Sequence, residues 1–175
     1  MTCVRALTRT QVARARQVSL LLGAHDLTTP AAVAAWLGAM QPQDLASGFW
    51  SLGVRLPGSR STEIDAAVES GAVLRTWPMR GNIHIVPAED TRWMLDLTAR
   101  RSLTSTTTRR SRSLLTQASA RRARRATTFG YAAHVGAICI GPNVGKQQSL
   151  VLLADWAPQQ RYLERHEALT ELAWR

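Results

Sequence analysis

The stretch from Arg75 to Val86, RTWPMRGNIHIV, limits what this chain can build more than any other. Alternate residues fall into an apolar set, Trp77, Met79, Ile83 and Ile85, and a polar set, Thr76, Arg80, Asn82 and His84. A period of two is the pattern of a strand with one face in a core and the other presenting a cation, an amide and an imidazole. Gly81 interrupts the run, as at a bulge or a close backbone approach. Pro78 has no N–H to give to a ladder, so the run reads as an edge strand or one that begins near Pro78. Helical patterns flank it and strands are scarce elsewhere. It therefore reads as part of a small hairpin packed on helices, which is the outline of a wing. The expected fold class is mainly α with small β-hairpins (α+β).

The segments before the strand set its context. Leu7 to Leu22 predicts a helix, with Val12, Ala15, Val18, Leu21 and Leu22 on one side and Arg5, Arg9, Arg14 and Arg16 around the rest. Thr29-Pro30 is a helix start, Thr29 as N-cap and Pro30 at the first helical position, and the helix runs through Val33, Trp36, Leu37 and Met40. It must bend at Gln41-Pro42-Gln43-Asp44, because Pro42 disfavours the α conformation for Gln41 and can itself open the next helix, over 45–56. After a Pro57-Gly58-Ser59 turn, Ser61 or Thr62 can cap a further helix, with Glu63 and Asp65 in its first turn and Gly71 closing it. Helix, short turn, helix, strand is the order of a winged helix-turn-helix unit.

Beyond the strand, Pro87 opens a helix whose apolar face is Trp93, Met94 and Leu97. Two apolar runs, Ala137–Gly141 and Ser149–Ala154, predict a second hairpin with Lys146 in its loop, and Glu164–Trp174 a terminal helix. The division expected is a winged-helix region over 1–99, an Arg/Ser/Thr-rich linker over 100–130 and a partial winged-helix region over 131–175.

Charge narrows the partner. The formal net charge is +10, and arginine supplies 21 of the 22 basic residues. Guanidinium binds oxyanions in bidentate fashion, which suits a polyanion such as double-stranded DNA better than an anionic membrane surface. Nine arginines sit between Arg100 and Arg125 with no acid between Asp96 and Asp155. That segment reads either as disordered until phosphate neutralises it or as a neutral linker. The candidate DNA contacts are Arg80, Asn82, His84, Arg109, Arg110, Arg112, Arg121, Arg122 and Lys146. Cys3 and Cys139 make no disulfide framework, and the four histidines have no companions at zinc-ligand spacing, so neither metal nor cofactor is expected. The early apolar runs are too short to span a bilayer. The expectation is a cytoplasmic monomer, nucleoid-associated when bound to DNA. Gly141-Pro-Asn-Val-Gly145-Lys146-Gln147 is not a phosphate loop, having three residues between its glycines where four are needed and Gln147 after the lysine.

No Ser–His–Asp spacing or paired-carboxylate motif stands out. The remaining candidate chemistry is Gln41 and Gln43. Two amides can hold and orient a water without titrating, which is weak for an ordinary glycosidic bond but sufficient for one already activated by positive charge on the leaving base. The plainer reading is that both amides satisfy backbone groups at a helix junction.

Three stretches carry a resemblance: AMQPQDLASGFWSL from Ala39, LRTWPMRGNIHIVPAEDTRWM from Leu74, and GPNVGKQQSLVLLADWAP from Gly141. Together they resemble the bacterial winged-helix DNA glycosylases that unhook interstrand crosslinks, the AlkZ and YcaQ group. Members have tandem winged-helix units and a Gln-aliphatic-Gln motif usually followed by Asp, which Gln41, Gln43 and Asp44 match. The resemblance implies a monofunctional glycosylase acting on N7-alkylguanine, with Gln41 and Gln43 as catalytic residues. Pro42 stands where the family has an aliphatic residue, and the arginine-rich middle does not match. A family member would continue beyond Arg175, so the expectation is one complete winged-helix unit and one partial, in a truncated chain. The alternatives are a non-catalytic winged-helix DNA-binding or regulatory protein and an inactive remnant.

Overall fold

The computed structural model describes residues 6–79, 81–98, 128–145 and 147–175. Four helices come first: α1 (Arg9–Ser19), α2 (Pro30–Leu37), α3 (Leu45–Gly53) and α4 (Ser61–Glu69). Strands β1 (Val73–Met79) and β2 (Asn82–Pro87) follow, then a 3₁₀ turn over Ala88–Asp90 and helix α5 over 91–98. Helix α6 covers 128–134, and β3 (Ile138–Val144), β4 (Gln147–Leu152), α7 (Leu153–Trp156) and α8 (Arg165–Trp174) complete the chain. The fold is α+β, as the sequence predicts.

The two hairpins join. All pairings are antiparallel and the order is β2-β1-β3-β4, with Arg75 opposite Ile140 at the seam between hairpins. β1 is therefore interior, which corrects the expectation of an edge strand or a start near Pro78. The proline is accommodated at the other end of β1, where the pairing with β2 jumps between Thr76 and Met79 and no ladder N–H is required.

An interior strand with helices on both faces buries both faces. Val73 and Ile85 belong to one core cluster with Val33, Leu52 and Ile64; Leu74 and Val86, the next residues along each strand, belong to a second with Trp93, Leu95 and Leu153. The polar set of the opening stretch accordingly does not form one solvent face: Thr76 is 0% and His84 3% exposed while Asn82 is exposed, and Trp77, Met79 and Ile83 of the apolar set are only half-buried. The segments on either side of 100–130 thus share one sheet and the second cluster.

Helix ends follow local chemistry. The Thr29 hydroxyl accepts from Ala32 N at 3.1 Å, with Pro30 leading α2. Gly71 ends α4 at φ +76, and a Cβ there would meet Trp156 O at 2.7 Å, so both conformation and space demand glycine. Pro42 does not open α3: Asp44 is its N-cap, its Oδ1 accepting from Ser47 N at 2.8 Å while Ser47 Oγ accepts from Asp44 N at 3.2 Å. α1 is shorter than predicted and none of its residues is buried; Val18 and Leu22 are exposed, and only Leu21 beyond its end enters the core.

The second cluster is tied across the chain by Asp90, whose carboxylate is fully buried. It accepts from Trp93 Nε1 at 2.8 Å, Arg161 Nε at 2.9 Å and Arg175 Nη1 at 2.5 Å. Burial pushes the Asp90 pKa up, but the hydrogen bonds from Trp93, Arg175 and Arg161 outweigh it and hold the group below its ordinary value. Glu171 bridges the same two arginines, and the Arg175 guanidinium lies 5.8 Å from the centre of the Trp93 ring.

Candidate active site on the Gln41-Pro42-Gln43 turn

The turn between α2 and α3 is fixed from both ends. On its upstream side, α2 stops at Gly38, which takes φ +73, and Met40 then forms an isolated antiparallel bridge to β2. Met40 N donates to Ile85 O at 2.9 Å and Ile85 N donates to Met40 O at 2.8 Å. On its downstream side, the Asp44–Ser47 capping box fixes the first turn of α3.

Between these anchors exposure alternates: Gln41 exposed, Pro42 half-buried, Gln43 exposed. Pro42 is held against Gly48, the buried glycine of α3. A Cβ built on Gly48 would stand 2.7 Å from Pro42 Cβ and 2.9 Å from Ile85 Cδ1, so the missing side chain is what lets α3, the proline and β2 meet. Neither the Gln41 nor the Gln43 amide hydrogen-bonds a described residue. The backbone groups of the junction find partners in Asp44, Ser47, Ile85 and Ala35 instead. Two exposed amides two positions apart, on a turn anchored at both ends, offer donors and acceptors that can hold and orient a water.

Arg75 lies on the same face of the sheet as Ile85, directly opposite it in register, and is 2% exposed. Its Nη2 donates to Gly141 O at 2.5 Å and Asn143 Oδ1 at 3.2 Å, which clasps the second hairpin to the first. Burial draws its pKa down, with Cys139 acting in the opposite direction.

The predicted DNA contacts divide. Asn82 is exposed at the start of β2, after Gly81 at φ +73. His84 is buried, with Nδ1 2.9 Å from Asn82 O, so its ring lies beneath the surface instead of on an outward polar face. Arg80, Arg109, Arg110, Arg112, Arg121, Arg122 and Lys146 lie outside the described residues. A cleft of about 210 Å³ lined by Trp93, Asp96, Leu97, Leu163, Arg165 and Ala168 includes no residue of the glutamine turn. Among the described residues no group of three or more His, Cys, Asp or Glu side chains could hold a metal, and no helix is long and apolar enough to cross a membrane.

The sequence reading missed Gly48 and Asp90. A glycine inside a helix costs about 1 kcal/mol relative to alanine, and that penalty was the available signal of a close approach. Asp90 reads from sequence only as an acid in the first turn of the helix after Pro87, and nothing local marks its arginine partners seventy-one and eighty-five positions away.

The profile of the AlkZ-like DNA glycosylase family matches residues 34–175, so the chain belongs to that family. Among solved structures, Streptomyces sahachiroi DNA glycosylase AlkZ shares the fold, with a TM-score of 0.67 at 17% sequence identity. The similarity covers 90% of this chain and 53% of that one, so the chain spans about half the length of its structural relative. No curated protein matches it.

Proposed function

We propose that this protein is a monofunctional DNA glycosylase that hydrolyses N7-alkylguanine, including crosslinked guanine, from duplex DNA, with Gln41 and Gln43 placing the attacking water. The single observation that carries the reading is the pair of solvent-open amides on a turn pinned by Met40, Pro42 and Asp44, with no structural duty of their own. Membership of the AlkZ-like family supports the same chemistry.

N7-alkylation gives guanine a formal positive charge, so the base leaves neutral and no acid has to protonate it. As the C1′–N9 bond lengthens, its electron pair neutralises the base and the sugar gains oxocarbenium character. The water held by the two amide oxygens forms the new C1′–O bond, and its proton passes to bulk solvent. The amides orient without titrating, which spares the site a buried carboxylate. In this reading α2, α3, α4, β1 and β2 form the complete winged-helix unit. Arg80 and Asn82 contact the duplex beside the Gly81 turn, His84 supports that turn from beneath, and Lys146 with the arginines at 109, 110, 112, 121 and 122 adds phosphate contacts.

A second reading, duplex binding without catalysis, draws on Pro42, whose ring stands in the middle of the motif where the resemblance calls for an aliphatic side chain. One experiment separates the two. Purified protein is incubated with a duplex carrying a single N7-methylguanine, and abasic sites are scored by mild alkaline cleavage beside Gln43→Ala. Expected is base release that the variant abolishes while duplex affinity stays within a few-fold. Salt-sensitive binding without base release would leave the non-catalytic reading standing.

A further inference from the structure

α1 falls outside the residues matched by the family profile, and the fold makes little use of it. It has eleven residues, none buried, and is capped from within by Thr8 and Gln11, whose side chains accept from each other's backbone N–H at 3.2 and 2.9 Å. Two hydrogen bonds hold its C-terminal end to the body, Trp36 Nε1 to Ser19 O at 2.9 Å and Arg55 Nε to Leu20 O at 2.8 Å. An isolated helix of fewer than about 12 residues is marginal in water, so so slight a hold leaves α1 wanting a further contact.

The chemistry of that contact is written in charge. α1 carries Arg9, Arg14 and Arg16 and no acid, and the first acidic residue of the chain is Asp26. None of the three arginines pairs with a carboxylate among the described residues, where the ion pairs engage Arg92, Arg161 and Arg175. Arg9 and Arg16 are seven residues apart, both exposed, and share one helix face with the half-buried Val12; Arg14 projects well away from them. A membrane surface suits this helix poorly. Between Arg9 and Arg16 its apolar residues are Val12, Ala13 and Ala15, too small a face to embed, and the exposed Val18, Leu20 and Leu22 gather at one end.

We infer that Arg9 and Arg16 form a phosphate-binding rim for duplex DNA, a second electrostatic contact surface on α1 separate from the glutamine turn. The inference rests on the duplex-binding part of the proposed function and not on catalysis.

The test compares the full chain with Arg9→Gln/Arg16→Gln and with Arg14→Gln, measuring affinity for an undamaged duplex across a salt series and amide hydrogen exchange over α1. Each phosphate neutralised contributes about 0.9 to the slope of log affinity against log salt, so the double variant should flatten the slope by roughly 2 and Arg14→Gln by less than about half a unit. Exchange over 9–19 should slow when duplex is added. Because no residue of α1 is buried, the double variant should melt with the parent protein. Duplex binding by the parent with an unchanged slope in the double variant overturns the rim, as does unaltered exchange in α1. Binding to anionic vesicles but not to duplex overturns both the rim and the proposed function, and duplex binding without base release overturns the catalytic reading alone.

Discussion

Gly48→Ala perturbs the proposed site without touching either glutamine. The new Cβ would sit 2.7 Å from Pro42 Cβ and 2.9 Å from Ile85 Cδ1, against an ordinary carbon–carbon contact of about 3.5–4.0 Å. Something has to withdraw by roughly 1 Å. The Ile85 backbone is held in β2 on one side and by Met40 on the other, and α3 is held by Leu52 in the core and by its capping box. The proline, with an exposed residue on each side, is the part that can give. Two terms oppose one another in stability. Replacing glycine inside a helix gains about 1 kcal/mol in propensity, and overpacking a tight contact costs about 1–3 kcal/mol. The net loss is about 0–2 kcal/mol, a fall in Tm of roughly 0–8 °C for a chain of this size. The effect on rate should be far larger in proportion, because a 1 Å displacement of groups that position a reactant can lower a rate on the order of 100-fold.

The assay is single-turnover base release at saturating duplex, with duplex affinity and thermal unfolding measured on the same preparation. The expected result is a rate lower by about two orders of magnitude with affinity within a few-fold and Tm within the range above. A folded Gly48→Ala protein that releases base at the parent's rate would refute the reasoning, because the proline would then not set the position of the amides. Parallel loss of affinity and rate with a collapse in Tm would show that the contact serves the fold alone.

Two further outcomes follow from buried groups. Asp90→Asn leaves Arg161 and Arg175 facing a neutral amide and should cost about 3 kcal/mol, read as the midpoint of urea unfolding at neutral pH. The native Asp90 pKa is depressed, so its contribution is full above the unfolded value near 3.8 and is lost as pH falls through the native value; the parent should lose stability below about pH 4 more steeply than the variant, and equal acid slopes would count against the hub. Cys139 is 0% exposed and its thiol is pushed up to about 11 by burial, with the Arg75 charge pulling it back. In a Cys3→Ser background it should resist iodoacetamide at pH 8 until denaturant opens the sheet, and rapid labelling of the native protein would contradict the packing of β3 against β1.

Local signals were legible and long-range ones were not. Thr29-Pro30 and Gly71 act through neighbours within four residues and appear in the structure as a cap and a stop, whereas the alternating run from Arg75 to Val86, read as one strand interrupted at Gly81, is two antiparallel strands, β1 and β2, with Gly81 in the turn between them. The glutamine motif was visible by its resemblance, and its bend by Pro42. What alternation could not tell was which set faced a core, because one stripe of apolar residues fits a strand covered on one side and a second helical layer supplies the other. Thr76 and His84 are buried because the β3–β4 hairpin and α5 to α8 close that side, contributions from residues up to ninety positions away. The apolar stripe read on α1 failed for the opposite reason: periodicity promises a face, but only Leu21, past the helix end, has a core to enter.

The division of the core into two clusters bears on how the site tolerates change. Ile85 and Val86 are consecutive in β2 and point into opposite clusters. The glutamine turn leans on the first through Met40, Pro42 and Gly48, all gathered at Ile85, whereas the Asp90 hub and α8 close the second through Trp93 and Ala168. A substitution in the hub weakens the second cluster from the far side of the sheet, so it should lower stability long before it moves an amide. A substitution at Gly48 does the reverse, and the contrast between them measures where the geometry of the turn is set.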